Sequence, residues 1–292
     1  MQIQKSFKGQ SAYGKLYLVA TPIGNLDDVT FRAIQTLKEV NWIAAEDTRN
    51  TGLLLKHFDI PTKQISFHEH NAKEKIPDLI DLLKQGQDVA QVSDAGLPSI
   101  SDPGHDLVKA AILEDIAVVT VPGASAGISA LIASGLAPQP HIFYGFLPRK
   151  SGQQKQFFES KKDYPETQIF YESPHRVADT LENMIEVYGD RSVVLVRELT
   201  KIYEEYQRGH ITELLDSIAE IPLKGECLLI VEGASQEVED KDEEDLFAEI
   251  QARLQQGIKK NQAIKEVAKI YKWNKSQLYA AYHEWEDNHF ND

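Results

Sequence analysis

The sequence predicts an α/β protein in three parts. Two α/β domains span residues 1–139 and 140–235, and an acidic linker at 236–245 leads to a small helical, helix-turn-helix-like basic segment at 246–292. Three observations carry this. Short β-branched runs alternate with amphipathic stretches through the first 235 residues, as in a sheet with helices packed against it. The alternation restarts after Pro138-Gln-Pro140. After residue 245 the local charge reverses from acidic to basic.

In chain order, the patterns predict strands at Lys15–Thr21, Trp42–Asp47, Gln64–Glu69, Asp88–Asp94 and Ala117–Pro122. Helical patterns lie between them, such as Phe31–Val40, where Phe31, Ile34 and Leu37 share a face. Strand, helix, strand at this spacing means a parallel sheet. Ile116 to Pro140 is free of charge, but Pro122-Gly123 divides it into a strand and a small-residue helix, Ser125–Ser134, which reads as soluble core rather than a membrane span. The second domain predicts strands at His141–Phe146, Thr167–Glu172, Ser192–Glu198 and Glu226–Glu232, with helices at Gln153–Lys162, Arg176–Tyr188 and Ile211–Glu220.

The block Ser235–Asp245 reads as a solvated linker or an exposed helix start. Between Gln251 and Ser276 the balance reverses: Arg253, Lys259, Lys260, Lys265, Lys269, Lys272 and Lys275 face only Glu266. Ala263, Val267 and Ile270 form one helical stripe, and Leu278, Tyr282 and Trp285 another, after a break at Trp273–Ser276. The pair reads either as a helix-turn-helix-like unit or as a small helical hairpin with a solvated basic face.

Composition narrows function. Forty-two per cent hydrophobic and 26% charged residues make a globular chain. A net charge of −14, from 45 acidic against 31 basic residues, argues against nucleic-acid binding by bulk charge while leaving room for a local basic patch. The single cysteine, Cys227, sits in an apolar run and reads as a small buried residue; with no secretory signal core at the start, it fits a cytoplasmic protein.

Several motifs bear on chemistry. Gly9–Lys15 has phosphate-loop spacing, but it precedes a strand and has Leu16 where a magnesium-binding hydroxyl belongs, so it is rejected. Thr21-Pro-Ile-Gly-Asn-Leu26 turns at the end of the first strand, where ligands bind in open α/β sheets. Ala45-Glu-Asp-Thr-Arg49 ends the second strand; by strand alternation Glu46 and Asp47 cannot both line one site while the strand persists. Phe67-His-Glu-His70 puts His68 and His70 on one side of a strand, with no third ligand at convincing spacing, so no metal is expected. Ser93–Gly104 holds two Gly, two Pro, two Asp and three Ser in twelve residues after a strand, the composition of a binding loop able to cradle a polar cofactor. Val121-Pro-Gly-Ala-Ser-Ala126 opens a helix whose free amides can receive a carboxylate.

Taken in order, these segments resemble the tetrapyrrole methylase (class III) family of S-adenosylmethionine enzymes, and within it the branch acting on small-subunit ribosomal RNA. The resemblance runs through Leu18–Leu26, Ala45–Arg49, Ser93–Gly104, Pro122–Ser125, Gly145-Phe-Leu-Pro-Arg-Lys150, Tyr171-Glu-Ser-Pro-His-Arg176, Arg197-Glu-Leu-Thr-Lys201 and Lys224-Gly-Glu226, and covers essentially the whole chain. It implies two α/β domains with S-adenosyl-L-methionine in the cleft between them, 2′-O-methylation of a cytidine ribose in the decoding region of 16S rRNA in the small ribosomal subunit, and a homodimer, with no membrane or DNA partner. It assigns cofactor contacts to Pro22, Asp94, Gly96, Ile100, Ser101, Ser125, Ala126, Leu147 and Leu199. The family usually has Thr where Leu97 stands and a larger apolar residue where Ser99 stands. For the chemistry, Asp47 or His70 is expected to accept the ribose proton, and Arg49 or Lys150 to orient phosphate or stabilise the oxygen. Two rivals are a tetrapyrrole C-methyltransferase, which would not need the basic tail, and a noncatalytic RNA-binding protein, which would leave the long polar loop unexplained.

Overall fold

The structure, a computed structural model, describes residues 1–6, 12–220, 222–235, 242–271 and 273–290, the side chains of 288–290 excepted. Part of the rejected phosphate-loop spacing, most of the acidic linker and Lys272 lie outside the described residues. Met1–Ala234 forms one compact unit and Ser235–Asp292 a second.

The first unit opens with β1 (Leu16–Val19), α1 (Phe31–Glu39), β2 (Trp42–Ala45), α2 (Thr48–His57), β3 (Lys63–Ser66), α3 (Ala72–Lys84), β4 (Val89–Val92), α4 (Gly104–Leu113), β5 (Val118–Val121) and α5 (Ala126–Ser134). The five strands make a wholly parallel sheet in the order β3-β2-β4-β1-β5. Apolar residues on both faces require cover on both sides. One face packs Leu16, Leu79, Leu83 and Leu107, with α3 and α4; the other packs Val19, Leu37, Ile43 and Leu55, with α1 and α2. Most strands end sooner than the patterns predicted. Glu46, Asp47, His68, His70 and Asp94 therefore lie beyond strand ends, where Asp47 caps α2 by accepting from the Arg49 amide at 2.8 Å.

The chain continues through β6 (His141–Phe146), α6 (Ser151–Glu159), β7 (Thr167–Glu172), α7 (Val177–Tyr188), β8 (Ser192–Arg197), β9 (Glu205–His210), α8 (Ile211–Glu220) and β10 (Cys227–Val231). This sheet is mixed, in the order β6-β7-β10-β8-β9: β6 and β7 are parallel, and the other pairs antiparallel. The sequence reading missed β9. Its residues, Glu-Tyr-Gln-Arg-Gly-His, are polar and at most half-buried because the strand is an edge, where polar side chains are favoured. β10 is apolar and wholly buried because it enters between β7 and β8. Cys227, at its start, is buried as expected, and burial pushes its thiol up to about 11.

α5 explains the charge-free run. Its Ala130 and Leu131 pack on Ile169, Val194, Val196, Leu228 and Ile230 of the second sheet. A Cβ on Gly127 would meet the Phe143 ring at 3.3 Å, so small residues let this helix approach closely. From β9, the Arg208 guanidinium donates to the Ala133 and Ser134 carbonyls at the end of α5. Among the described residues, no helix is long and apolar enough to cross a membrane.

Among the described residues, the second unit has three helices rather than the two short ones expected: α9 (Glu243–Gln255), α10 (Lys260–Ile270) and α11 (Lys275–Phe290). The end of the acidic block starts α9. Asp242 caps it by accepting from the Asp245 amide at 2.9 Å, and acidic residues fill its first turn, where the helix dipole favours them. The core holds Leu246, Phe247, Ile250, Ala263, Ile264, Val267, Leu278 and Tyr282. Ile270, assigned to the buried stripe, is instead 49% exposed; Ile264 and Ala268 complete the stripe with Ala263 and Val267. The basic side chains do not face Glu266 alone. Lys260 pairs with Glu286, and Arg253 with Glu249. Lys259, Lys265, Lys269 and Lys275 are exposed.

Candidate active site

Loops at the carboxyl ends of β1, β2, β4 and β5 face the second sheet across a cavity of about 790 Å³, a size suited to a small cofactor and part of a substrate. The Ser93–Gly104 loop forms one wall and is held from within. Asp102 accepts from Gln91 Nε2 (2.7 Å), the Gly104 amide (2.8 Å) and the Ser99 amide (2.8 Å). Gln91 is buried, so this carboxylate anchors the loop to β4. Gly96 and Thr21 exchange backbone hydrogen bonds of 2.9 and 3.1 Å, tying the loop to the turn after β1. Leu97 and Ser99 have separate places here: Leu97 lines the cavity, while the Ser99 hydroxyl reaches Gln91 Oε1 at 3.3 Å.

The start of α5 forms a second wall. Ser125 stands at its N-cap without a side-chain capping bond, and Ser125 and Ala126 line the cavity. The first amides of a helix favour a carboxylate. The second sheet contributes Phe143, Phe146 and Tyr171, whose rings meet edge-on at 5.0 and 5.5 Å, together with Leu199 and Leu228.

Of the positions assigned to the cofactor by resemblance, Asp94, Gly96, Ile100, Ser101, Ser125, Ala126 and Leu199 line this cavity. Pro22 does not, although its neighbour Ile23 does. Leu147 lies in the core with Phe158, Phe170 and Val177.

The four proposed reacting groups are not among the cavity's lining residues. Asp47 accepts from Arg49 Nε and Nη2 at 3.1 and 2.7 Å. The Arg49 guanidinium and backbone amide hold its carboxyl down at about 2, which makes a weak base. Arg49 itself is 88% exposed. His70 is exposed in the turn after β3, its ring 5.9 Å from that of His68, so the two histidines do not share a strand face. Lys150 is exposed at the N-cap of α6. Among the described residues, no three His, Cys, Asp or Glu side chains are grouped to hold a metal ion.

Of the two neighbouring acids after β2, Glu46 and not Asp47 lines the cavity, alongside Asp94 and Asp102. One Glu46 carboxylate oxygen accepts from the Asp94 amide at 3.3 Å. Burial raises its pKa above the ordinary carboxylate range, and the negative charges of Asp94, Asp102 and Asp47 add to the effect. Strand alternation separated Glu46 from Asp47, but could not show which one faces the site.

A profile described as Tetrapyrrole (Corrin/Porphyrin) Methylases matches residues 15–215. The chain belongs to the tetrapyrrole methylase family. The match spans most of both sheets and stops before the helical unit. This family member is 70% identical over 286 residues to ribosomal RNA small subunit methyltransferase I of Streptococcus pyogenes serotype M1, covering 97% of this chain and 100% of that one. It is 48% identical over 287 residues to the protein of the same name from Bacillus subtilis (strain 168), covering 96% and 98%. Its fold is that of a uroporphyrin-III C-methyl transferase from Thermus thermophilus, solved in complex with S-adenyl homocysteine. That likeness has a TM-score of 0.52 at 18% identity and covers 75% of this chain and 97% of that one.

Proposed function

We propose that this tetrapyrrole methylase binds S-adenosyl-L-methionine in the cavity and methylates small-subunit ribosomal RNA. The site would be the 2′-oxygen of a cytidine ribose in the decoding region of 16S rRNA. The observation that carries this reading is the 70% identity over nearly the whole of both chains to a ribosomal RNA small subunit methyltransferase I. The domain limits 1–139 and 140–235, a homodimer and a cytoplasmic location belong to the same proposal.

The residues present fit the cofactor. The start of α5 suits its carboxylate, Asp94 suits its ammonium or hydroxyl groups, and Ile100, Leu199 and Tyr171 offer apolar surface to its ring. When bound, S-adenosylmethionine supplies a methyl group activated by a cationic sulfur. A ribose hydroxyl is a poor nucleophile until its proton has somewhere to go. Among the carboxylates beside the cavity, Glu46 is the stronger candidate for that proton: it lines the wall and its proton affinity is raised, whereas Asp47 is tied to Arg49. Arg49 and Lys150, both exposed, are suited to phosphates of an RNA rather than to the reacting oxygen. Exposed Lys265, Lys269 and Lys275 offer the helical unit's contribution to RNA attraction.

The test uses methyl-labelled S-adenosylmethionine with three substrates: small ribosomal subunits from unmethylated cells, naked rRNA and a tetrapyrrole precursor. Label mapped to a ribose oxygen of the subunit RNA is expected. Label in the macrocycle alone would move the function to tetrapyrrole C-methylation, and label in none would favour a noncatalytic RNA-binding role.

A further inference from the structure

The segments Arg197–Lys201 and Lys224–Glu226 are brought together at the edge of the cavity by an unusual backbone. Glu198 and Thr200 both lie in the left-handed region, with φ of 51° and 64°. That conformation is uncommon for any residue with a side chain and strained for a β-branched one. The residue between them, Leu199, lines the cavity, as do Gly225 and Glu226.

The strained turn is held by a shared lysine. Glu198 Oε1 accepts from the Glu226 amide (2.9 Å) and from Lys201 Nζ (3.0 Å). The same ammonium reaches Glu226 Oε2 at 3.1 Å. The aliphatic stem of Lys201 then crosses to the first sheet's side. A Cβ built on Gly24 would fall 2.7 Å from both Cγ and Cε of Lys201, and Gly24 itself has φ of 146°. Beside it, the Thr200 hydroxyl donates to Asp28 of the same N-terminal loop. Gly24 directly follows Ile23, a lining residue.

We propose that Lys201 is a positioning residue for the cleft. Its ammonium, shared between Glu198 and Glu226, and its stem, laid on Gly24, hold the Ile23 and Leu199 walls at the separation that takes the cofactor. This rests on the reading of the cavity as the S-adenosylmethionine site. Lys201 touches neither cofactor nor substrate in this role; it acts through the strained turn that carries Leu199. Relaxing that turn leaves the wall free to move, and the lost preorganisation appears as weaker binding.

The experiment is calorimetric titration of the full chain with S-adenosylhomocysteine, comparing wild type with Lys201→Met, Lys201→Arg and Gly24→Ala, each checked for native circular dichroism. Lys201→Met and Gly24→Ala are expected to raise Kd about tenfold or more, and Lys201→Arg, which keeps a cation between the two carboxylates, to stay within about threefold of wild type. Alanine at φ 146° strains the backbone on its own, so Gly24→Ala serves to overturn: if Lys201→Met fails to fold, a folded Gly24→Ala protein that binds as wild type does still decides against the proposal. Folded Lys201→Met or Gly24→Ala protein that binds as wild type does overturns the proposal and leaves the cofactor reading standing, as does an Arg variant no better than the Met variant. A wild-type chain that takes up no S-adenosylhomocysteine overturns the cofactor reading and this proposal with it.

Discussion

The parallel sheet brings carboxylates and helix-start amides to the cavity, at Glu46, Asp94 and the start of α5, where the mixed sheet brings Phe146, Tyr171 and Leu199. The difference follows from topology. Every strand of the parallel sheet that reaches the site does so at its carboxyl end, followed by a loop or helix start rich in polar groups. The mixed sheet also meets the cavity with side chains of its strands, and strand faces that cover a core are apolar. Glu172 and Glu226 of the second half also line the cavity, but each is held in an ion pair, with Arg176 and Lys201, so this half serves shape and support while the first half is equipped for chemistry. Glu172 illustrates the support. It is buried on β7, accepts from the Ser173 amide (2.8 Å) and the Thr180 hydroxyl (2.9 Å), and pairs with Arg176 at 3.3 Å. Arg176 in turn donates to the Pro148 carbonyl at 2.8 Å, fixing the loop that leads to Arg149 and Lys150.

The sharpest break would come at Glu46. Glu46→Gln is expected to lower single-turnover methyl transfer by about 10²–10⁴-fold, the range for losing a general base, with S-adenosylhomocysteine affinity changed little. In wild type the rate should fall as pH drops through the raised Glu46 pKa, since the group must be ionised to accept a proton. A Gln variant with near-normal rate removes Glu46 from the chemistry.

On the other side, Glu172→Ala should cost about 3 kcal/mol of stability by leaving Arg176 and Thr180 without their acceptor. Urea denaturation reads this directly, and an unchanged midpoint would show that the second half does not depend on this network.

A smaller effect is expected from the helical unit. Lys269→Gln with Lys275→Gln should reduce the salt slope of RNA binding by roughly one per lysine while sparing cofactor affinity. Equal losses of RNA and cofactor binding would deny the unit a separate role.

The smallest is at the Asp47–Arg49 pair. Asp47 has a depressed pKa, so its stabilising contribution is present above its unfolded pKa and is lost as pH falls through about 2. Arg49→Ala should move the Asp47 carboxyl back toward its ordinary value, seen by NMR titration, with little change in activity near neutral pH. A large rate loss at neutral pH would return Asp47 and Arg49 to the reacting centre.

Much of this was legible in the sequence because the signals are local. Strand and helix periods repeat within a few residues, the Ser93–Gly104 loop declares itself by composition, and Pro122-Gly123 stops an apolar run short of a membrane span. β9 escaped because an edge strand needs no apolar face. The Glu46-or-Asp47 choice escaped because the strand ends at Ala45, so alternation no longer governs the residues after it.

By itself the sequence determined the alternating elements, the second α/β repeat and the basic helical tail, and the resemblance named seven residues that line the cavity. Tertiary structure alone decided that β10 enters between β7 and β8, that α5 lies on the second sheet, that Glu46 rather than Asp47 meets the cavity, and that Lys201 rests on Gly24. The physical reason is range. Periodicity records what each residue needs from its immediate neighbours, whereas a cleft is made by groups as far apart in sequence as Asp28 and Thr200, whose meeting depends on how whole sheets are ordered and packed.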